Sequence, residues 1–372
     1  MSTQVIGCHK SELDTPAYCI DLDVMEANIR AMAGFHRECG KAWRPHAKCH
    51  KTPAIAHQEL RAGAIGVTVA KVSEAEVYAA AGIRDILIAN MLAGRPKLER
   101  VAALCRVADP IVACDHFVQA EALAAVCRDR GVTCRVVIEV NIGMDRVGIR
   151  PGSDFRDLVR GIARLQGVTL AGIMGYEGHL LRVEKRDEKV ERITAAMSLL
   201  VEQRDLMQAD GFPCEIVSAG GTGSYQITAH LPGITELQAG GGIFADPYYV
   251  HRCGLSGLEP ALRVLGTVVS RPKLERAVID CGRKTMNQDV EPPTVKGTLA
   301  GRPLPDAVFT GLSAEHGILQ LGPQSQDLKI GDKIEIIPGY ADFTTPLHDR
   351  FYGLRNGIVE CVWPIAARGM LQ

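Results

Sequence analysis

The sequence predicts a (β/α)8 barrel, or TIM barrel, followed by a mostly β C-terminal domain. From residue 23 to about residue 248, short strand-like segments alternate with longer helix-like segments. The strand-like segments are rich in Val, Ile and Ala and lack sustained polar alternation, as expected of parallel strands buried on both faces. Eight such units in roughly 220 residues fit a barrel, and a doubly wound open sheet is the structural alternative.

The predicted elements follow one another without a long gap. The eight barrel strands are predicted at 41–47, 65–70, 85–89, 111–114, 133–141, 168–175, 214–219 and 234–238. The helices between them are predicted at 52–62, 73–81, 95–107, 117–130, 155–165 and 188–210.

The pattern changes after Tyr249, where helical periodicity is weak and Gly, Pro and Asp turns separate the strand-like segments. Five strands are predicted there, at 262–270, 276–281, 307–311, 333–337 and 357–363. A further strand at 16–22 is predicted to join them. We therefore expect a barrel domain at 23–250 and a β-rich domain made of 1–22 and 251–372.

Composition limits the possible partners. The 372 residues are 47% hydrophobic and 23% charged, with a formal net charge of −1, which is typical of a soluble globular protein. No basic run with interleaved aromatic residues favours nucleic-acid binding, and no apolar stretch reaches membrane-spanning length. The N-terminus lacks the apolar core of a secretory signal, and the 12 scattered cysteines include no CxxC pair. These features predict a cytoplasmic protein with reduced thiols.

Lys48 lies in the stretch 44–51, which has the sequence RPHAKCHK and closes the first predicted strand. Neighbouring cations lower the pKa of a lysine, and a neutral amine is a nucleophile that can form a Schiff base. A basic turn on the surface is the structural alternative. Cys49 is the one cysteine of interest, because it adjoins Lys48.

Two glycine-rich segments follow the last two barrel strands. The first is 218–224, SAGGTGS, and the second is 239–242, AGGG. Glycines let a backbone approach a ligand closely and present N–H donors, and hydroxyls add further donors. Phosphate sites in these barrels favour the loops after strands seven and eight. Ser218, Gly220, Gly221, Thr222, Gly240 and Gly241 are therefore predicted to bind a phosphate, with ordinary tight turns as the alternative.

Polar residues also follow the fifth and sixth strands, at 141–148 (NIGMDRVG) and 176–179 (YEGH). Loops at this edge of a TIM barrel build its active site, which favours a functional role for Arg146 and Tyr176. A solvated surface charge and a packed ring are the respective alternatives, and the role of His179 stays open. A phosphate site and a reactive lysine at one barrel mouth together imply pyridoxal 5′-phosphate (PLP), held covalently by Lys48.

With these residues in place, the chain resembles the fold-type III PLP enzymes. Within them it is most similar to the group of D-threonine aldolases, D-3-hydroxyaspartate aldolases and eukaryotic-type D-serine dehydratases. The resemblance rests on 44–51, 143–148, 176–179, 218–224 and 236–238, in the family order, with Cys49 where a threonine is usual. It implies an alanine racemase-like barrel, a β-rich C-terminal domain, a homodimer and a small amino acid as substrate.

One departure concerns the metal that this group carries beside the cofactor. The family holds Mg²⁺, Mn²⁺ or Zn²⁺ with a His-x-Cys or His-x-Asp pair, whereas the matching segment here, 338–342, is PGYAD. Asp342 keeps the second position, but Tyr340 replaces the histidine, and a neutral phenol is a poor ligand. His348 and Asp349 lie nearby in sequence as substitute ligands. The family's residue pair after the eighth strand is also altered, to Gly241-Gly242, which would widen the pocket.

The resemblance implies an aldolase that cleaves a D-3-hydroxy amino acid to glycine, or a related amino acid, and an aldehyde, because an aspartate at the second metal position resembles the aldolases. We expect Tyr340 and Asp342 to handle the proton of the β-hydroxyl. A D-3-hydroxy amino acid dehydratase is the first alternative, and a racemase or epimerase is the second. A non-catalytic PLP carrier is the third, although the long C-terminal part argues against it.

Overall fold

Parallel strands and helices alternate through most of the chain up to residue 240 in the computed structural model, which describes residues 5–372. The first strand, β1 (Ala17–Asp21), belongs to a separate sheet. The next eight are β2 (Ala42–Trp43), β3 (Val67–Val69), β4 (Asp85–Ile88), β5 (Asp109–Cys114), β6 (Cys134–Glu139), β7 (Val168–Met174), β8 (Ile216–Ala219) and β9 (Glu236–Leu237).

These eight strands form one sheet in the order β2-β9-β8-β7-β6-β5-β4-β3, and every pairing is parallel. The two ends of the sheet meet where His46, just beyond β2, forms a parallel bridge to Thr68 of β3. The Thr68 N–H also donates to the Pro45 carbonyl at 2.8 Å. The predicted barrel is therefore confirmed, and the open sheet is wrong.

Side chains from the strands fill the barrel with apolar volume. One buried cluster joins Leu87, Ile111, Ala113, Val137, Ala171 and Met174. Because such an interior is packed and not a pore, ligands must bind at a mouth of the barrel. The carboxyl ends of the strands, where the predicted site residues lie, form that mouth.

Helices separate the barrel strands. They are α1 (Leu22–Glu38), α2 (Pro53–Ala62), α3 (Val72–Ala80), α4 (Arg95–Leu104), α5 (Phe117–Arg130), α6 (Ser153–Ile162), α7 (Arg186–Ala209) and the short α8 (Tyr225–Thr228). Helix α5 has the predicted bounds because both of its ends carry local signals. The His116 side chain accepts a hydrogen bond from the Val118 N–H at 3.2 Å, and Gly131 ends the helix with a φ of +65°.

The rest of the chain is mostly β-structure, as predicted. Its strands are β10 (Leu262–Lys273), β11 (Arg276–Ile279), β12 (Thr294–Thr298), β13 (Ala307–Leu312), β14 (Gly317–Leu321), β15 (Lys333–Ile337), β16 (Arg350–Arg355) and β17 (Ile358–Pro364). One short helix, α9 (Ala341–Thr344), follows β15.

Strand β1 joins this second sheet, which confirms the strand predicted at 16–22. It pairs antiparallel with β10 and parallel with β16, and Ala17 and Cys19 pack with Leu265 and Leu354 in its core. Strands β12, β14 and β16 were not predicted. Each has only five or six residues and contains a glycine, so local β-propensity is weak and pairing with neighbouring strands decides the conformation.

The chain divides into two compact units. One takes up the chain as far as Ala31 together with Cys49–Ala54 and Gly241–Arg368, and the other consists of Met32–Lys48, Ile55–Gly240 and Gly369–Gln372. The domain limits predicted from the sequence stay a prediction. All 12 cysteines are free thiols, and Cys49 is one of the buried ones. Within residues 5–372, no helix combines the length and apolar character needed to cross a bilayer.

Candidate active site

Lys48 lies in a 3-10 turn, Ala47–Cys49, directly after the first barrel strand. The Lys48 side chain is half-buried, and the backbone N–H of Lys48 donates to His46 Nδ1 at 3.3 Å. His46 is the residue that bridges to Thr68 and closes the barrel. The lysine therefore stands at the carboxyl end of the strands, as the sequence predicted, on backbone that the barrel fixes.

Arg44 is a structural cation within the barrel. Its guanidinium donates to both carboxylate oxygens of Glu236, at 3.0 and 3.2 Å from Nε, and to Asp85 at 2.5 Å. The Arg44 side chain is only 2% exposed. Because two carboxylates compensate its charge, Arg44 is not an uncompensated cation near Lys48.

Gly240 has a packing reason to be glycine. A Cβ there would lie 2.3 Å from the His46 carbonyl oxygen and 2.7 Å from its nitrogen, and backbone atoms cannot move aside cheaply. The His46 N–H donates to the Gln238 carbonyl at 3.0 Å, so the two segments run in contact. The second glycine segment thus packs directly against the backbone of His46, two residues before Lys48. Gly241 opens a buried 3-10 turn of its own unit, Gly241–Ile243.

The first glycine loop, 218–224, is folded by bonds within itself. The Gly221 N–H donates to Ser224 Oγ at 3.0 Å, and the Gly221 carbonyl accepts from the N–H groups of Ser224 and Tyr225. Gly220 has a φ of +73°, a conformation that favours glycine. None of these bonds uses the N–H groups of Thr222 and Gly223. The loop is therefore a turned backbone with donors to offer a ligand.

Tyr176 lies against this loop. A Cβ at Gly221 would be 2.8 Å from Tyr176 Cε2, and one at Gly178 would be 2.4 Å from Cε1. Arg146 Cζ lies 5.7 Å from the centre of the same ring, within the range of a cation–π contact. The structure thus brings Arg146, Tyr176 and Gly221 together, as the sequence predicted. It also shows that the glycines on both sides of the ring make room for it.

Glu139 ends β6 behind Arg146 and was not predicted as a site residue. Its Oε1 lies 3.9 Å from Arg146 Nη2, and its side chain is 5% exposed. Burial raises the pKa of the Glu139 carboxyl to about 7, an effect that Arg146 partly offsets and Asp115 reinforces. The only sequence signal was an acidic residue at the end of a strand of buried apolar residues.

Glu177 is a second buried acid that the sequence argument passed over. It is fully buried; Thr228 Oγ1 donates to its Oε1 at 2.6 Å, and the Gly220 N–H donates to its Oε2 at 3.3 Å. Glu177 therefore ties the loop after β7 to the glycine loop after β8. Two residues on, His179 lies beside Gly143, where a Cβ would be 3.0 Å from its Nε2.

Tyr340 and Asp342 form a hydrogen-bonded pair in the other unit. The Tyr340 hydroxyl donates to Asp342 Oδ2 at 3.0 Å. Burial, with the Asp342 carboxylate close by, raises the pKa of the phenol, so Tyr340 is a neutral donor and Asp342 the acceptor. The ring packs among aromatic neighbours, with centroid distances of 4.9 Å to Tyr248 and 5.1 Å to Phe343.

Asp246 holds this pair's backbone in place. It is 1% exposed, and its two oxygens accept the Ala341 N–H at 2.9 Å and the Tyr249 N–H at 3.3 Å. Burial raises the pKa of this carboxyl well above its ordinary value. Asp246 therefore fixes the start of α9, next to Tyr340, although its sequence context gave no sign of that role.

Cys49, which follows Lys48, contacts the segment directly after α9. Cys49 is 1% exposed, and its carbonyl accepts a hydrogen bond from Thr345 Oγ1 at 2.8 Å. Thr345 directly follows α9. The Cys49 side chain is therefore packed in the interior, and its backbone carbonyl is a hydrogen-bond acceptor.

The donor set at 338–342 does not fit the metal that the family resemblance implies. Asp342 Oδ2 accepts a hydrogen bond from the Tyr340 hydroxyl, and a neutral phenol is a poor metal ligand. The substitute ligands are committed elsewhere, because His348 Nε2 bonds to the Thr285 carbonyl at 2.7 Å and Asp349 pairs with Arg368 at 2.5 Å. In the described part of the chain, no group of three or more His, Cys, Asp or Glu side chains is placed to hold a metal ion.

The barrel residues, in contrast, fit PLP. The cofactor needs an amine to hold it covalently, donors for its phosphate and polar contacts around its ring. Lys48 would supply the amine, Thr222 and Gly223 would offer N–H donors, and Arg146 and Tyr176 lie together beside the loop.

Comparisons with known proteins show the family to which the chain is related. The family model described as alanine racemase, N-terminal domain, matches residues 20–246, and a serine dehydratase domain model matches residues 261–354. D-threonine aldolase of Arthrobacter sp is 34% identical over 361 residues, covering 96% of this chain and 94% of that protein. 3-Hydroxy-D-aspartate aldolase of Paracoccus denitrificans (strain Pd 1222) is 33% identical over 372 residues, covering 98% and 94%.

A solved structure matches over almost the whole length. The crystal structure of D-threonine aldolase from Filomicrobium marinum has a TM-score of 0.94 and 35% identity, covering 99% of both chains. The similarity therefore includes the barrel, the β-rich part and the connections.

Proposed function

This chain belongs to the alanine racemase N-terminal domain family of PLP-dependent enzymes, and from that premise we propose that it cleaves a D-3-hydroxy amino acid. The products are glycine, or a related amino acid, and an aldehyde. The observation that carries the proposal is the Tyr340–Asp342 hydrogen bond of 3.0 Å, which joins a proton donor to a carboxylate acceptor. Relatives named as aldolases over nearly the full length support it.

The barrel residues hold and orient the cofactor in this proposal. PLP, when bound, withdraws electrons from the substrate Cα, so that a bond to that carbon can break. Lys48 would hold it covalently through its side-chain amine. The loop donors near Gly220, Gly221 and Thr222, with Ser218 and the segment at Gly240 and Gly241, bind the phosphate. Arg146 and Tyr176 orient the ring.

Tyr340 moves the proton that carbon–carbon cleavage requires. The phenolic oxygen takes the proton of the substrate β-hydroxyl as its own proton passes to Asp342. The hydroxyl oxygen then becomes the carbonyl oxygen of the aldehyde. Cα keeps the electron pair of the broken Cα–Cβ bond and takes up one proton, which balances the proton that Asp342 received. A relay of this kind supplies general base catalysis without a free tyrosinate. No step passes through a metal, since the donor set does not fit one.

The proposed reaction is tested by product analysis with D-threonine, D-phenylserine and D-3-hydroxyaspartate. Glycine should appear in equal amounts with the aldehyde from the first two, and the L-threonine control should give none. Ammonia and a 2-oxo acid in place of glycine would establish the dehydratase alternative, which the serine dehydratase domain match favours. Exchange of the Cα proton for deuterium without cleavage would identify a racemase or epimerase. Absence of any turnover would identify a PLP carrier.

The assembly and location belong to the same proposal. We propose a homodimer, on the family resemblance, and a cytoplasmic protein, on the 12 free thiols. We keep the functional division between a cofactor-binding barrel at 23–250 and a β-rich domain at 1–22 and 251–372. Light scattering would test the dimer by its mass in solution.

A further inference from the structure

Helix α7 carries a lysine in an unusual environment. Lys189 is 5% exposed, while Glu188 on the same helix and Lys185, which directly precedes the helix, are exposed. Lysines are almost never fully buried unless partners hold the ammonium, because removal of a charge from water is costly. A specific use of this charge would explain its position.

The partners of the ammonium point to that use. Lys189 Nζ donates to the Leu181 carbonyl at 2.9 Å and to the Gly223 carbonyl at 2.8 Å. Leu181 lies in the loop between β7 and α7, and Gly223 belongs to the glycine loop after β8. One buried cation therefore joins two neighbouring loops of the barrel mouth, and one of them is the loop to which we assign the cofactor phosphate.

We infer that Lys189 is a positioning residue for the cofactor phosphate, an inference that rests on the cofactor site proposed above. By engaging the Gly223 carbonyl, the ammonium fixes the orientation of a peptide oxygen that would otherwise be free to turn toward the phosphate and repel it. Its positive charge also lies in the low-dielectric interior directly behind the loop, where it favours a bound dianion. Lys189 does this without contact with the substrate.

A purely structural lysine would behave differently, and comparison of PLP with pyridoxal separates the two roles. Pyridoxal lacks the phosphate but has the same aldehyde for Lys48. We therefore measure the dissociation constants of both compounds for the full-length protein freed of cofactor, by absorbance titration. Lys189→Met removes the charge and the donors, and Lys185→Met makes the same change at an exposed position directly before the same helix.

We expect Lys189→Met to bind PLP about tenfold more weakly or worse, as loss of a charge-assisted contact implies, and pyridoxal within about twofold of wild type. Lys185→Met should change neither constant. Equal weakening of both compounds, or no change in either, would overturn the inference. If Lys189→Met does not fold, Lys189→Arg is the second variant: it should keep the preference for PLP, and loss of that preference in a folded Lys189→Arg protein would count against the role of the charge.

Failure of the cofactor site is distinguishable from failure of this inference. If wild type binds PLP and pyridoxal alike, or if Lys48→Ala leaves borohydride-trapped cofactor on the protein, the proposed site is wrong. If wild type prefers PLP and Thr222→Val lowers that preference while Lys189→Met does not, the site stands and the Lys189 inference alone is overturned.

Discussion

Tyr340 donates its phenolic proton to Asp342, with 3.0 Å between Tyr340 Oη and Asp342 Oδ2. Burial and the neighbouring carboxylate raise the pKa of the phenol, so the tyrosine is neutral and its oxygen can accept a proton only as it passes its own to Asp342. The two residues therefore work as one unit. Asp246, which accepts the Ala341 N–H, keeps the backbone between them in position.

Loss of either member of this unit should stop the chemistry and leave the cofactor bound. We expect Tyr340→Phe and Asp342→Asn each to lower kcat at least about 100-fold, the usual range for removal of a general base. The visible absorbance band and its loss on borohydride reduction should match wild type. Tyr352→Phe is the matched control, since it removes a hydroxyl from β16. Full turnover by Tyr340→Phe would refute the role of the phenol.

The elements found from the sequence are those with strong local signals. All eight barrel strands were predicted because short runs of buried Val, Ile and Ala alternate with helices. Lys48 was singled out as a candidate because its neighbours are unusual. Glu177, Lys189 and Asp246 were missed. Each is buried by residues distant in sequence, and Lys189 lies in a charged stretch, 184–192, that has the composition of an exposed helix face. Burial of such a residue is set by tertiary packing.

The Glu139 carboxyl should make stability depend on pH. Burial raises its pKa from the usual 4.5 to about 7, so the folded protein binds this proton more tightly than the unfolded chain does. The stabilisation is complete below pH 4.5 and is lost as pH rises toward 7. Glu139→Gln should therefore be more stable than wild type at pH 8, by up to about 3 kcal/mol, and equal to it near pH 4.5.

Urea unfolding at the two pH values measures this difference. Glu184→Gln removes an exposed carboxylate, and its effect on the free energy of unfolding should be the same at both pH values. A constant difference between Glu139→Gln and wild type at both pH values would mean that the carboxyl does not titrate in this window.

Gly240 should be intolerant of a side chain. A Cβ would lie 2.3 Å from the His46 carbonyl oxygen, so Gly240→Ala must push β9 and the Lys48 segment apart. We expect a loss of about 2 kcal/mol or more in the free energy of unfolding and less cofactor trapped on Lys48 by borohydride. The matched control is Gly34→Ala in α1, where no atom outside the adjacent helix backbone lies within 4 Å of the added Cβ and helix propensity predicts a gain of roughly 0.5–1 kcal/mol. Comparable stability of the two variants would contradict the proposed close packing of Gly240 against the His46 backbone.

Metal removal should leave the activity of wild type unchanged. The carboxylate at Asp342 already accepts the Tyr340 proton, and the nearby His348 and Asp349 are bonded to Thr285 and Arg368. Dialysis against EDTA, followed by assay with and without added Mn²⁺, measures the dependence. Loss of wild-type activity with EDTA, and its return with Mn²⁺, would show that a metal is needed.

The reverse experiment creates the ligand pair that the chain lacks. Tyr340→His places an imidazole two residues before Asp342, and imidazole with carboxylate is a good ligand pair for Mn²⁺ or Zn²⁺. We expect this variant to be nearly inactive after EDTA and to regain activity with Mn²⁺, whereas Tyr340→Phe should stay inactive under both conditions. A Tyr340→His protein that the metal does not activate would mean that the tyrosine is not at the metal's place.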